Sequence, residues 1–223
     1  MAMEATALPP TGTSATGTAV PRKIVVLDLV ERAIVSAVFC RFAYLMLQNV
    51  SDTANIGAAL MFVSELLAFV LIIIRPLSAT LSIRPADWLF GVAGTIAPLL
   101  VKPAPVAPLL PEALCFAVII AGIYLQIAAK VALGRSFGII AANRGVKVGG
   151  PYRFVRHPMY AGYTITHIGF LLTMPSLRNA LFYAVALTFQ VVRILREERV
   201  LNEAAEYREM AARVRYRLLP GVF

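Results

Sequence analysis

The stretch GGPYRFVRHPMYAGY, from Gly149 to Tyr163, brings together two arginines, a histidine, three tyrosines, two prolines and three glycines. Gly149, Gly150 and Pro151 spell a turn. Pro158 disfavours helical dihedrals for His157 and is itself suited to the first position of a helix, where an amide hydrogen would have no intrahelical partner. His157 is therefore expected at the N-terminal boundary of a helix. Free backbone N–H groups and the positive end of the helix dipole attract anions at such a boundary. Arg153 and Arg156 add charge there, so the chemistry implied is recognition of a carboxylate or phosphate. From His157, the residues Tyr160, Thr164 and His167 follow at helical spacing and form one polar stripe. Gly162 permits close approach of a backbone or a ligand.

A second cluster lies downstream in LREERVLNEAAEYREMAARVRYRLLPGVF. Glu197, Glu198, Glu203, Glu206 and Glu209 are five of the twelve acids of the chain, set among seven arginines from Arg193 onward. Residues 195–213 read as one helix. Glu197 and Glu198 stand at its start, and adjacent side chains on a helix point about 100° apart, so both serve one ligand only if it lies between them. Leu218, Leu219, Val222 and Phe223 offer an apolar tail that closes over the site or meets a membrane surface.

The elements that must carry these two clusters are apolar. Of 223 residues 59% are hydrophobic and 15% charged, and the mean hydropathy is +0.76, well beyond a soluble domain at about 45–50% apolar. The expected fold is all-α, a polytopic membrane bundle of five or six spans over 33–50, 57–75, 86–101, 112–130, 158–174 and 179–195, with a cytoplasmic C-terminal helix. The third is the weakest, carrying Gly91, Gly94 and Pro98. Residues 1–23 read as a disordered tail and 24–32 as an interfacial lead-in. Residues 24–130 supply the N-terminal helices, and 131–223 form the region of the two clusters, within a single membrane domain.

The net charge of +9 is explained by cytoplasmic loops collecting Lys and Arg rather than by nucleic acid. With both termini inside, all of the 21 Lys and Arg residues except Arg41, Lys102 and Arg178 fall on the cytoplasmic side, together with both clusters. Arg41 and Glu65 fall at similar depth on a helical hairpin and are expected to pair or to share a polar cavity. Cys40 and Cys115 lie in apolar runs, as small hydrophobes and not as a disulfide or metal framework.

GPYRFVRHPMYAG (150–162) followed by EE (197–198) resembles the RHPxYxG…EE pattern of the integral-membrane isoprenylcysteine carboxyl methyltransferases and their relatives, the phospholipid N-methyltransferases. LGRSFG (133–138), EYRE (206–209) and RLLP (217–220) resemble the flanking segments of that family, and the resemblance covers roughly 130–220. It implies S-adenosylmethionine as cofactor, with Tyr152, Arg156, His157, Tyr160, Glu197 and Glu198 lining its site beside the backbone of Gly149 and Gly150. Arg, His and a helix N-terminus suit the carboxylate of the cofactor; a Glu suits its ammonium and another its ribose hydroxyls. The acceptor is expected to be lipophilic, a prenylated cysteine or a lipid, entering from the membrane. Methyl transfer needs no metal. An amine acceptor must lose a proton, for which Glu198 is the candidate, and Arg208 is the candidate for steering an acceptor carboxylate. The chain lacks the Phe-Gly pair that family members carry after the acidic pair. The competing readings are methylation of a small thiol or other hydrophobic metabolite, and a transporter or scaffold that uses the motif only as an anchor. The enzyme requires one closed pocket joining His157 to Glu197.

Overall fold

The computed structural model describes residues 20–48, 56–78, 80–101 and 106–223. Most of the expected N-terminal tail and the loop after the first span lie outside these. The described residues form seven α-helices and no strand: α1 (Arg22–Gln48), α2 (Ile56–Ile74), α3 (Pro85–Ile96), α4 (Glu112–Leu133), α5 (Pro158–Thr173), α6 (Leu177–Leu201) and α7 (Ala205–Arg213). The all-α class is as expected, but several borders differ. The lead-in and the first span are one helix, α1, which already begins at Arg22. The helix expected over 195–213 is broken, because α6 ends at Leu201 and α7 starts at Ala205. The weak third span is short: α3 has 12 residues and passes into a single 3-10 turn at Ala97–Leu100, where Pro98 interrupts the backbone ladder.

Among the described residues one helix is long and apolar enough to cross a membrane, over Glu112–Ser136 with a mean hydropathy of 2.1. The 22 residues of α4 reach about 33 Å, close to a bilayer core of about 30 Å. Ala59–Ile74 and Pro85–Leu100 are apolar but shorter. Leu114, Tyr124 and Val131 leave a broad apolar face of α4 uncovered by the protein.

α4 and α5 run antiparallel in close contact, because three glycines remove side chains from their crossing. A Cβ on Gly162 would stand 2.8 Å from the Gln126 nitrogen and the Gly122 carbonyl, and one on Gly169 would stand 2.9 Å from the Ile119 nitrogen. Small residues at a helix crossing let backbones pack directly, which is the main source of helix adhesion where water is absent. The close approach expected at Gly162 is thus to a neighbouring helix. Gly162→Ala is expected to cost about 1–3 kcal/mol through overpacking, read as a lower midpoint of thermal unfolding in detergent.

A buried ionic cluster joins α1, α2 and the segment after α4. Arg75 binds Glu31 through both terminal nitrogens, at 2.8 and 2.7 Å, and Asp28 at 2.7 Å. Glu31 Oε1 also accepts from the backbone nitrogens of Ile139 and Ile140 at 2.8 and 3.1 Å. This fixes residues 137–144 against α1. The same segment rests on α3, where Gly91 leaves room for the Ile139 carbonyl. Arg196 of α6 reaches Asp87 of α3 at 2.8 Å.

Within the helical layer the expected pairing of Arg41 with Glu65 is not made. Glu65 pairs with the fully buried Lys130 of α4 at 3.1 Å, and Arg41 is exposed. Lys130 also donates to the Ser64 hydroxyl and carbonyl at 2.8 and 2.9 Å. Depth along the hairpin matched Arg41 to Glu65, but α2 also packs on α4, whose buried Lys130 takes Glu65 instead.

Candidate active site

His157 occupies the boundary position before α5, with Pro158 as the first helical residue. Its backbone nitrogen donates to the Arg217 carbonyl at 2.9 Å, and that of Arg156 to the Tyr216 carbonyl at 2.9 Å. The C-terminal tail is therefore paired directly onto the motif. Leu218 is buried and Phe223 packs against the core, while Leu219 and Val222 face outward.

The two neighbouring glutamates divide the site. Glu198 is buried and surrounded by donors. Its Oε1 lies 3.3 Å from His157 Nε2, 3.1 Å from the Tyr207 hydroxyl and 3.2 Å from Arg156 Nη1, and its Oε2 accepts from Arg217 Nε at 2.8 Å. Burial alone would raise its pKa, but the hydrogen bonds from His157 and Arg217 and the nearby positive charges outweigh this and hold it at about 2. Burial and the Glu198 charge push the Tyr207 phenol up, so it remains a donor. Glu197, about 100° around the helix, points the other way and accepts from the Tyr160 hydroxyl at 2.9 Å.

Glu197 lines a cleft of about 560 Å³, its open mouth included. Tyr152, Arg156, His157, Tyr160 and Tyr207 line it too, with Met159 and Met210 as apolar walls and residues 144–147 along one side. His157 and Glu197 thus line one cleft, but it is open to solvent and not the closed pocket expected. The Tyr152 hydroxyl makes no hydrogen bond among the described residues, and burial followed by the Glu197 charge raises its pKa well above the ordinary value.

Of the other expected site residues, Glu198 does not line the cleft but stands behind it. Gly149 and Gly150 are exposed at the start of a 3-10 turn, Gly150–Arg153, that sets Tyr152 in place. Arg208 is exposed and donates to the carbonyls of Asn202 and Glu203 at 2.7 and 3.2 Å, away from the cleft. Sequence reasoning missed Arg144. It lines the cleft with a buried guanidinium whose Nη1 donates to the Ile140 carbonyl at 3.2 Å. Its Nε and Nη2 make no hydrogen bond, though Nη2 stands 3.5 Å from Glu31. Burial, then the adjacent Arg75 charge, lower it to about 10. The only sequence signal was its position in the segment between LGRSFG and the motif.

A second, larger cavity of about 1,410 Å³, its open mouth included, lies among α1 to α6. Its walls are mostly apolar, among them Val38, Phe42, Met61, Ile123 and Phe170. Met159 and Tyr160 line both this cavity and the cleft. One residue layer at the start of α5 therefore separates a polar, carboxylate-bearing cleft from an apolar chamber.

Residues 112–207, from the start of α4 to Tyr207, match the family model described as phospholipid methyltransferase. The match bears out the resemblance read from the motifs, to the membrane methyltransferase superfamily that joins the isoprenylcysteine carboxyl and phospholipid enzymes. No curated protein matches the chain significantly.

Proposed function

We propose that this chain is an integral-membrane, multi-pass methyltransferase that uses S-adenosylmethionine in the cleft and a lipophilic acceptor in the apolar cavity, with the cleft facing the cytoplasm. The observation that carries this reading is the shared wall: Met159 and Tyr160 border both spaces. When bound, the cofactor supplies an electrophilic methyl group on a sulfonium sulfur.

The donor set of the cleft fits that molecule. Glu197 keeps one oxygen on Tyr160 and has acceptor capacity left for an ammonium or a ribose hydroxyl. Arg144 and Lys147 give the cleft positive charge for a carboxylate. Tyr152, Tyr160 and Tyr207 provide aromatic edges and faces, and Met159, Met210 and Leu201 apolar contact for a purine. His157 and Arg156, expected to touch the cofactor, border the cleft while holding Glu198. They orient the wall, and Glu198 anchors them.

Transfer to a carboxylate needs positioning and dryness more than a base. A group at about 2 does not collect a proton near neutral pH, so Glu198 is a poor base for an amine acceptor. A carboxyl acceptor, as in the isoprenylcysteine carboxyl O-methyltransferases, needs no such base, and it is the acceptor we propose. The second reading, N-methylation of a phospholipid amine, is favoured by the description of the matching family model.

The test is cofactor binding to detergent-purified protein, followed by transfer of labelled methyl from S-adenosylmethionine to a membrane lipid extract. Saturable binding is expected in the wild type and its loss in Glu197→Ala. Label released by alkali as volatile methanol identifies a methyl ester; label that stays on a non-volatile amine headgroup identifies N-methylation. Folded, monodisperse protein that binds no cofactor and transfers no methyl group would return the motif to an interfacial anchor.

A further inference from the structure

The apolar cavity has polar groups on its wall that the protein itself does not use: the Nε of Arg193, buried without a hydrogen-bond partner, and the imidazole of His167. Several polar residues border the cavity but spend their hydrogen bonds inside the bundle. Thr95 donates to the Gly91 carbonyl at 2.8 Å. Gln126 donates to Thr166 at 2.8 Å, and Gln190 to the Tyr160 carbonyl at 2.7 Å. Glu65 and Lys130 neutralise each other beside Tyr163.

His167 differs. It lines the cavity, and its contacts are two aromatic faces: the Tyr183 ring at 4.6 Å and 22°, and the Tyr163 ring at 6.4 Å and 26°. Neither ring nitrogen has a hydrogen-bond partner among the described residues. Neither is sealed away as a buried orphan, and the residue lines the cavity. An imidazole always has at least one donor nitrogen, and its neutral form has an acceptor as well. Leaving such groups without partners in an apolar chamber is costly. Stacking alone would be served as well by phenylalanine. The Tyr183 hydroxyl, also on the cavity wall, has no hydrogen-bond partner among the described residues either.

His167 lies seven residues beyond Tyr160 on α5, which is about 10 Å along the helix axis. We infer that the molecule occupying this cavity is an elongated lipid bearing a hydroxyl or carbonyl group about 10 Å from its reacting end, received by the imidazole of His167. This rests on the methyltransferase reading for the identity of the reacting end. It extends that reading by setting what distinguishes the acceptor from an unfunctionalised lipid chain.

The probes are stearate, stearate hydroxylated near the middle of its chain, and stearate hydroxylated beside the carboxyl group. Each is titrated into the full chain reconstituted in lipid nanodiscs. The mid-chain hydroxylated acid is expected to bind about fivefold more tightly than stearate, the effect of one net hydrogen bond. The acid hydroxylated beside its carboxyl group is expected to bind like stearate. His167→Phe is expected to erase the preference and leave stearate affinity within about twofold. Equal binding of all three acids, a preference that survives in His167→Phe, or no lipid binding at all would overturn the inference. The comparison among probes needs no variant, so it stands even where His167→Phe fails to fold. Cofactor binding measured on the same samples separates the two readings. Lipid discrimination without cofactor binding removes the methyltransferase and keeps the polar lipid site. Cofactor binding without discrimination does the reverse.

Discussion

Glu197→Gln is expected to weaken S-adenosylmethionine binding by about 10- to 100-fold, the loss of a charge-assisted hydrogen bond worth about 1.5–3 kcal/mol. The substitution keeps the size of the side chain and an oxygen for the Tyr160 hydroxyl, so the wall between cleft and cavity stays intact. What it removes is the negative charge that faces the cleft, and with it the attraction for a cation. Tyr160→Phe is the companion measurement. It leaves the carboxylate charged but releases its orientation, and a loss of about threefold to tenfold is expected for one neutral hydrogen bond. Titration calorimetry on detergent-purified protein reads both. If Glu197→Gln bound the cofactor as the wild type does, the cleft would recognise its ligand without this carboxylate, and the assignment of Glu197 would fall.

The motif residues were legible because their roles are local. Pro158 fixes the start of α5 by its own covalent geometry, and His157 follows from it by one position. The polar stripe from His157 to His167 follows from helical spacing, and it does face α6 and the cavity: Tyr160 meets Glu197, Thr164 meets Gln190, and His167 lines the apolar chamber. Spacing also said that Glu197 and Glu198 point apart. It could not say which one faces the ligand, because that depends on where Arg217 and Tyr207 return in space. Arg144, Glu31 and Arg75 were opaque for the same reason: they are brought together from α1, the end of α2 and the segment after α4. The exchange of Arg41 for Lys130 as the partner of Glu65 shows the limit of a depth argument. Two helices of a hairpin can match in depth while a third helix supplies the charge.

Glu198→Ala is expected to destabilise the chain by about 3–5 kcal/mol, the cost of removing one member of a buried charge cluster and leaving the others uncompensated. Four side chains from three parts of the chain converge on this carboxylate: Arg156 and His157 before α5, Tyr207 in α7 and Arg217 in the tail. Without it, Arg156 keeps the Arg215 carbonyl at 3.3 Å but loses its counter-charge, and its Nε already lacks a partner. The tail over 214–223 should then come away from the motif, read as new protease cleavage there together with a lower midpoint of thermal unfolding. Glu198→Gln, which keeps acceptor oxygen but not charge, is expected to fall between. The dependence on pH has a definite sign. The carboxylate is depressed in the folded chain from the ordinary 4.5 to about 2, so its contribution is complete above about pH 4.5 and is lost as the pH falls through that interval towards 2. The stability difference between wild type and Glu198→Ala should therefore be constant near neutral pH and shrink on acidification below 4.5. Unchanged stability and proteolysis in Glu198→Ala, or a difference that grows in acid, would show that the tail is held by its apolar residues Leu218 and Phe223 and that the carboxylate is incidental to it.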